Sequence, residues 1–73
     1  MFIVQFKLVN GRERIVNVVV QEGRTFWTGF NKASMLTEAQ RDAAIREIRE
    51  AYDPAPEIIV WRVVKDSHPE KVS

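Results

Sequence analysis

Asn10–Gly11 stands between two runs that read as strands, and this dipeptide limits the possible folds more than any other feature of the chain. Phe2 to Val9 alternates, with Phe2, Val4, Phe6 and Leu8 on one side and Ile3, Gln5, Lys7 and Val9 on the other. A period of two sustained over this length marks a half-buried strand. Both central residues of a type I′ turn take positive φ, which Asn and Gly tolerate best, so a tight hairpin is expected. A two-residue loop pairs Val9 with Arg12, Lys7 with Arg14, Phe6 with Ile15 and Val4 with Asn17. One face then carries Phe2, Val4, Phe6, Leu8, Ile15 and Val19 and is the expected core. The other carries Ile3, Gln5, Lys7, Val9, Arg12, Arg14, Val16 and Val18. Asn17 is the discordant member of the core face: it either bonds to the connection near Thr28 or signals a different register.

Glu22–Gly23 offers a second tight turn, from which Arg24–Thr28 returns as a short third strand with Phe26 near Val19 on the core side and Trp27 beside Val18 on the other. Phe26 and Phe30 are expected to cap the core, and residues 30–35 to form a connection. Thr37-x-x-Gln40 is a capping box, and the helix it opens is expected over Glu38–Tyr52, with an apolar stripe of Ala44, Ile45, Ile48, Ala51 and Tyr52. Asp42 with Arg46, and Arg46 with Glu50, are spaced for exposed ion pairs. Asp53–Pro54–Ala55–Pro56 stops the helix. Glu57–Lys65 reads as a last strand with Ile59, Trp61 and Val63 inward, because the opposite choice places Arg62 in the core, at a cost of several kcal/mol if unpaired. The expected fold is α+β: an antiparallel sheet of three to four strands, ββ(β)αβ, with one helix packed on one face. Residues 1–65 form one domain, and residues 66–73 read as a frayed tail.

A chain of 73 residues buries only ~60% of the surface it exposes when unfolded, so small domains lean on staples or partners. Cysteine is absent, which removes disulfides and thiolate zinc sites. No apolar run approaches a membrane span, and Met1–Phe2–Ile3–Val4 has no basic leader ahead of an apolar stretch. The expected location is the cytoplasm. Charge is uneven: residues 1–33 hold five basic and two acidic side chains, whereas 34–57 hold three basic and six acidic. The strands are thus basic and the helix acidic.

One helix covers one face of a sheet. The face left over is expected to show Ile3, Val9, Val16, Val18, Ile58, Val60 and Val64 together with Lys7, Arg12, Arg14 and Arg62. That much aliphatic surface calls for a cover, and a second copy of the chain is the simplest one. Lys7 opposite Arg14 is a like-charge pair that an acidic partner or a nucleic-acid backbone would relieve. Arg24-Thr25-Phe26-Trp27-Thr28-Gly29-Phe30-Asn31-Lys32 interleaves aromatic and basic residues, a composition that stacks bases or anchors a protein interface. The candidate partner-binding residues are therefore Lys7, Arg12, Arg14, Val16, Val18, Arg24, Trp27 and Arg62. No catalytic constellation is apparent. His68 is the sole histidine and reads as a surface residue; Gly11, Gly23 and Gly29 are isolated, so there is no phosphate-cradling loop. Neither a cofactor nor a metal is expected.

The stretch Leu36-Thr37-Glu38-Ala39-Gln40-Arg41-Asp42-Ala43-Ala44-Ile45-Arg46-Glu47-Ile48-Arg49-Glu50-Ala51-Tyr52, followed by Pro54 and Glu57-Ile58-Ile59-Val60-Trp61-Arg62-Val63-Val64, resembles a helix–strand block of small uncharacterised proteins of bacteriophage and bacterial genomes. The resemblance covers about half the chain, contains no diagnostic motif and transfers no functional residue. It implies an accessory factor that binds and modulates a host macromolecule. The expected function is a non-enzymatic, homodimeric interaction protein that binds and modulates or inhibits another protein. The alternative is a nucleic-acid-binding module using the basic sheet face.

Overall fold

The first hairpin forms, in a register one residue away from the expected one. The computed structural model describes residues 1–30, 32–64 and 68–73. Strand β1 (Phe2–Asn10) pairs with β2 (Arg12–Gln21) so that Val9 faces Glu13, Phe6 faces Val16 and Gln5 faces Asn17. Gly11 takes the left-handed backbone at φ 78°, while Asn10 does not, so the turn lacks the two positive φ values of type I′. Because side chains alternate, the one-residue shift moves all of β2 to the opposite face. Val16 and Val18 enter the helix-side cluster, Ile15 and Asn17 leave the core, and Val19 is buried on the opposite face of the sheet. The doubt attached to Asn17 is resolved as a register error.

The second turn has the geometry expected of the first. Glu22 at φ 52° and Gly23 at φ 75° join β2 to β3 (Arg24–Thr28) through two residues, with Gln21 facing Arg24. Val18 faces Trp27 and Val19 faces Phe26. These pairings are the expected ones, but the shift of β2 exchanges their faces: Trp27 lies on the helix side and Phe26 on the other.

Helix α1 (Glu38–Ala51) opens on the capping box, with the Gln40 amide donating to Thr37 Oγ1 at 3.2 Å and the Thr37 amide donating to Gln40 Oε1 at 2.9 Å. Ala44 and Ile48 are buried, Ile45 and Tyr52 pack against the core from its margin, and Ala51 is exposed. Arg46 takes no carboxylate partner among the described residues; Arg41 instead reaches Asp42 at 2.9 Å and Glu38 at 3.6 Å, and its guanidinium stacks 4.3 Å from the Phe2 ring centroid.

Strand β4 (Ile58–Arg62) runs antiparallel to β1, with Val60 facing Val4 and Arg62 facing Phe2. Ile58 and Val60 thus point to the helix, and Ile59 and Trp61 point away, reversing the expected orientation. The cost that argued against this arrangement does not arise: Arg62 ends the strand, its side chain is 53% exposed, and it meets Glu70 at 2.6 Å. Residues 70–73, expected to fray, return along β4. Glu70–Lys71 form β5 opposite Arg62 and Trp61, and Val60 bonds to Val72 and Ser73. The strand is shorter than the expected Glu57–Lys65, since Glu57, Val63 and Val64 lie outside it; Lys65 and the expected start of the tail at Asp66 lie outside the described residues. The fold is α+β, an open antiparallel sheet of five strands in the order β3-β2-β1-β4-β5 with one helix on one face.

Beyond Gln5 and Asn17, β1 and β2 no longer pair with each other. Residues 34–36 occupy the gap. Phe2 and Leu36 exchange both backbone hydrogen bonds, at 2.8 and 2.7 Å; the Ser34 amide donates to the Val18 carbonyl, and the Val20 amide donates to Ser34 Oγ. The insertion satisfies backbone groups that would otherwise be buried without partners, and it drives Leu36 into the core beside Val4, Phe6, Val16, Val18, Ala44 and Ile48.

Candidate functional site

Beneath the helix the sheet is covered by a packed core. Phe6 meets Trp27 edge-on at 5.9 Å between ring centroids and Tyr52 at 5.6 Å, which makes Trp27 a wall of the core. Phe30, expected to cap the core, is 97% exposed. It borders a concavity of about 490 Å³ with Leu8, Arg14 and Trp27.

The reverse side carries Ile3, Gln5, Lys7 and Val9 of β1, Glu13, Ile15, Asn17 and Val19 of β2, Phe26 and Thr28 of β3, and Ile59 and Trp61 of β4. Val19 and Ile59 are buried within this layer, flanked by Phe26 and Gln5 across their strand pairs. Ile15 and Val9 are 41% and 74% exposed. A chain of hydrogen bonds crosses three strands through the middle of the face. The Trp61 indole Nε1–H donates to Gln5 Oε1 at 2.7 Å, and Gln5 Nε2 donates to Asn17 Oδ1 at 2.8 Å. Together with Ile3, these side chains floor a broad concavity of about 640 Å³, rimmed by Lys32 and Ala33 on one side and His68 and Pro69 on the other.

The eight candidate residues do not share one face. Lys7 and Arg24 lie on the reverse side. Arg12 and Arg14 fall on the helix side near the hairpin tip and are exposed, as is Arg62 at the far end of β4. Val18 is fully buried in the helix-side cluster, and Val16 is buried there except where it lines the concavity beside Phe30. Trp27 is engaged by Phe6 and Tyr52. The expected opposition of Lys7 to Arg14 is replaced by Lys7 opposite Ile15, and the Lys7 ammonium lies 3.4 Å from Glu57 and 3.6 Å from Glu13. The hydrogen bond to Glu57 and then the charge of Glu13 hold its pKa above the ordinary lysine value.

The sequence reading missed Gln5, Ile15, Asn17 and Trp61 as members of a common surface. Asn17 was the available signal, because a lone amide on a presumed core face is the residue most easily explained by moving the strand one step. Chemically, the concavity offers an indole, two side-chain amides and aliphatic carbon on its floor, with a lysine and the histidine at its rim. Among the described residues, no group of three His, Cys, Asp or Glu side chains is placed to hold a metal ion, and no helix is long and apolar enough to cross a membrane. No family model, curated protein or solved structure matches the chain.

Proposed function

We propose that the chain is a non-enzymatic interaction protein of the cytoplasm, working as a homodimer, that binds and modulates another protein through the reverse face of its sheet. The observation that carries this reading is the one-sidedness of the fold. The helix lies over one face, while the other presents Ile3 and Ile15 beside the Trp61–Gln5–Asn17 chain and Val9 nearer the hairpin tip. An apolar surface with a few fixed polar groups at its centre suits a protein interface, where aromatic anchors and satisfied hydrogen bonds dominate. The accessory-protein context implied by the helix–strand resemblance points the same way, toward occlusion of a partner's own site.

The nucleic-acid alternative rested on Lys7, Arg12, Arg14 and Arg62 acting together. Their division between two faces, and the carboxylates beside Lys7 and Arg62, leave it the weaker reading. Affinity capture from the native host with wild-type and Ile15→Asp baits tests the proposal, with Arg46→Ala on the outer helix surface as a control. A captured protein that survives Arg46→Ala and is lost with Ile15→Asp is the expected result. Equal capture by all three baits contradicts it. Tight oligonucleotide binding that weakens by orders of magnitude with salt moves the assignment to nucleic acid.

A further inference from the structure

The two edges of the sheet are finished differently. On the β4 side the edge is blunted: β5 is two residues long and charged, and the outward amide and carbonyl of Val60 are bonded to residues 72 and 73. Short charged strands are a recurrent way of keeping an edge from pairing with another chain. The β3 edge has no such device. Arg24-Thr25-Phe26-Trp27-Thr28 contains no Lys, no Pro and one charge, at its end. The Val18 carbonyl and Val20 amide point toward the β1 side, where they meet Ser34. Val19 therefore bonds toward β3 at Phe26, and by the alternation of antiparallel ladders Thr25 and Trp27 direct their amides and carbonyls outward. Among the described residues these outward groups have no backbone partner.

We propose that two copies of this chain join through their β3 edges, antiparallel about a two-fold axis at Phe26, to form one continuous ten-stranded sheet. This inference rests on the homodimer of the proposed function and names its interface. The register is self-complementary. Thr25 and Trp27 of one copy exchange hydrogen bonds with Trp27 and Thr25 of the other, so both outward residues are used. Phe26 faces its own copy in the close, non-hydrogen-bonded position, ~4.5 Å between Cα atoms, where an aromatic pair stabilises a sheet. Arg24 falls opposite Thr28, so no like charges meet. Centring on Thr25 or Trp27 instead leaves part of the five-residue strand unpaired. A two-fold contact of this kind closes on itself and stops at the dimer. The Trp61–Gln5–Asn17 concavity of each copy remains open to a partner protein.

Charge swapping at the two-fold axis tests the inference, because only there does a residue meet its own copy. Sedimentation of the wild-type chain from micromolar to millimolar concentration is expected to show a species of twice 8.5 kDa. Phe26→Lys and Phe26→Glu are each expected to be monomeric, and their equimolar mixture to recover the dimer. Thr25→Pro removes an outward amide without breaking a bond to β2, and is expected to give a monomer with the fold retained by circular dichroism. If the Phe26 variants fail to fold, amide exchange of the wild-type chain decides: Thr25 and Trp27 amides are expected to slow by an order of magnitude or more on concentration. A wild-type chain monomeric throughout overturns both the dimer and the edge. A dimer that persists in Thr25→Pro, or whose Thr25 and Trp27 amides exchange independently of concentration, overturns the edge alone.

Discussion

Trp27 and Trp61 occupy opposite faces of one sheet and are held by different physics. Trp27 packs edge-on against Phe6 and beside Tyr52, so its place is set by shape and by the area it removes from water. Trp61 is placed by one hydrogen bond to Gln5, itself bonded to Asn17, on the face turned away from the helix. The contrast shows what the second layer contributes. Under the helix, apolar packing defines the positions of side chains. On the reverse side a string of amides does so, which keeps the surface ordered while leaving it available.

Removing one large side chain from each face measures this contrast most strongly. Phe6 is fully buried at the centre of the helix-side cluster, and Phe6→Ala is expected to cost about 3–5 kcal/mol in chemical denaturation. Ile15→Ala on the reverse side is expected to change stability by about 0.5 kcal/mol or less. Comparable losses would mean that the reverse face is also a core. The two tryptophans give a narrower comparison: about 2–3 kcal/mol for Trp27→Ala, because it is only partly buried, and about 1 kcal/mol for Trp61→Phe, which keeps the ring but withdraws the donor from Gln5. A silent Trp61→Phe would show that the amide chain does not order the face.

The turn that carries the bare β3 edge stores strain, since Glu22 holds φ 52°, a region that side chains with a Cβ enter at a cost of ~1–2 kcal/mol. Glu22→Gly is expected to stabilise the fold by about 0.5–1 kcal/mol in chemical denaturation, after the entropy that glycine adds to the unfolded chain. A loss of stability would contradict the assigned turn geometry. The smallest effect concerns Lys7. Its pKa is raised in the folded chain by Glu57 and Glu13, so its contribution is fully present below the ordinary lysine range and is lost as pH rises through the folded value. The wild-type advantage over Lys7→Met should therefore be flat across neutral pH, fade above about pH 10, and shrink with salt. An advantage that grew with pH would refute the pairing.

Local signals made some elements legible in the sequence. The Thr37–Gln40 capping box and the proline pair at 54 and 56 bracketed the helix to within a residue, and the Gln21–Arg24 register of the second hairpin followed from its two-residue turn. The face of β2 was not legible, because Ile15 and Val19 make one apolar set and Val16, Val18 and Val20 another. With both faces greasy, a single residue of turn length decided the assignment, and Asn10–Gly11 did not adopt the geometry its composition favours. The face of β4 was misjudged for a related reason. Arg62 looks expensive to place on the helix side until the strand is seen to end there, where solvent and Glu70 receive it. The insertion of residues 34–36 between β1 and β2 has no local signature, being set by the divergence of two strands distant in sequence. The candidate surface depended on all three and so could not be read before the register was known.

The contrast between the two faces is tested most directly by methyl relaxation with a soluble paramagnetic agent. The Ile15 methyls are expected to broaden strongly, while those of Ile48 and Val18 stay sharp, as their full burial requires. Ile15 methyls as protected as those of Ile48 would mean that the chain already covers its reverse face, leaving no open surface for a partner.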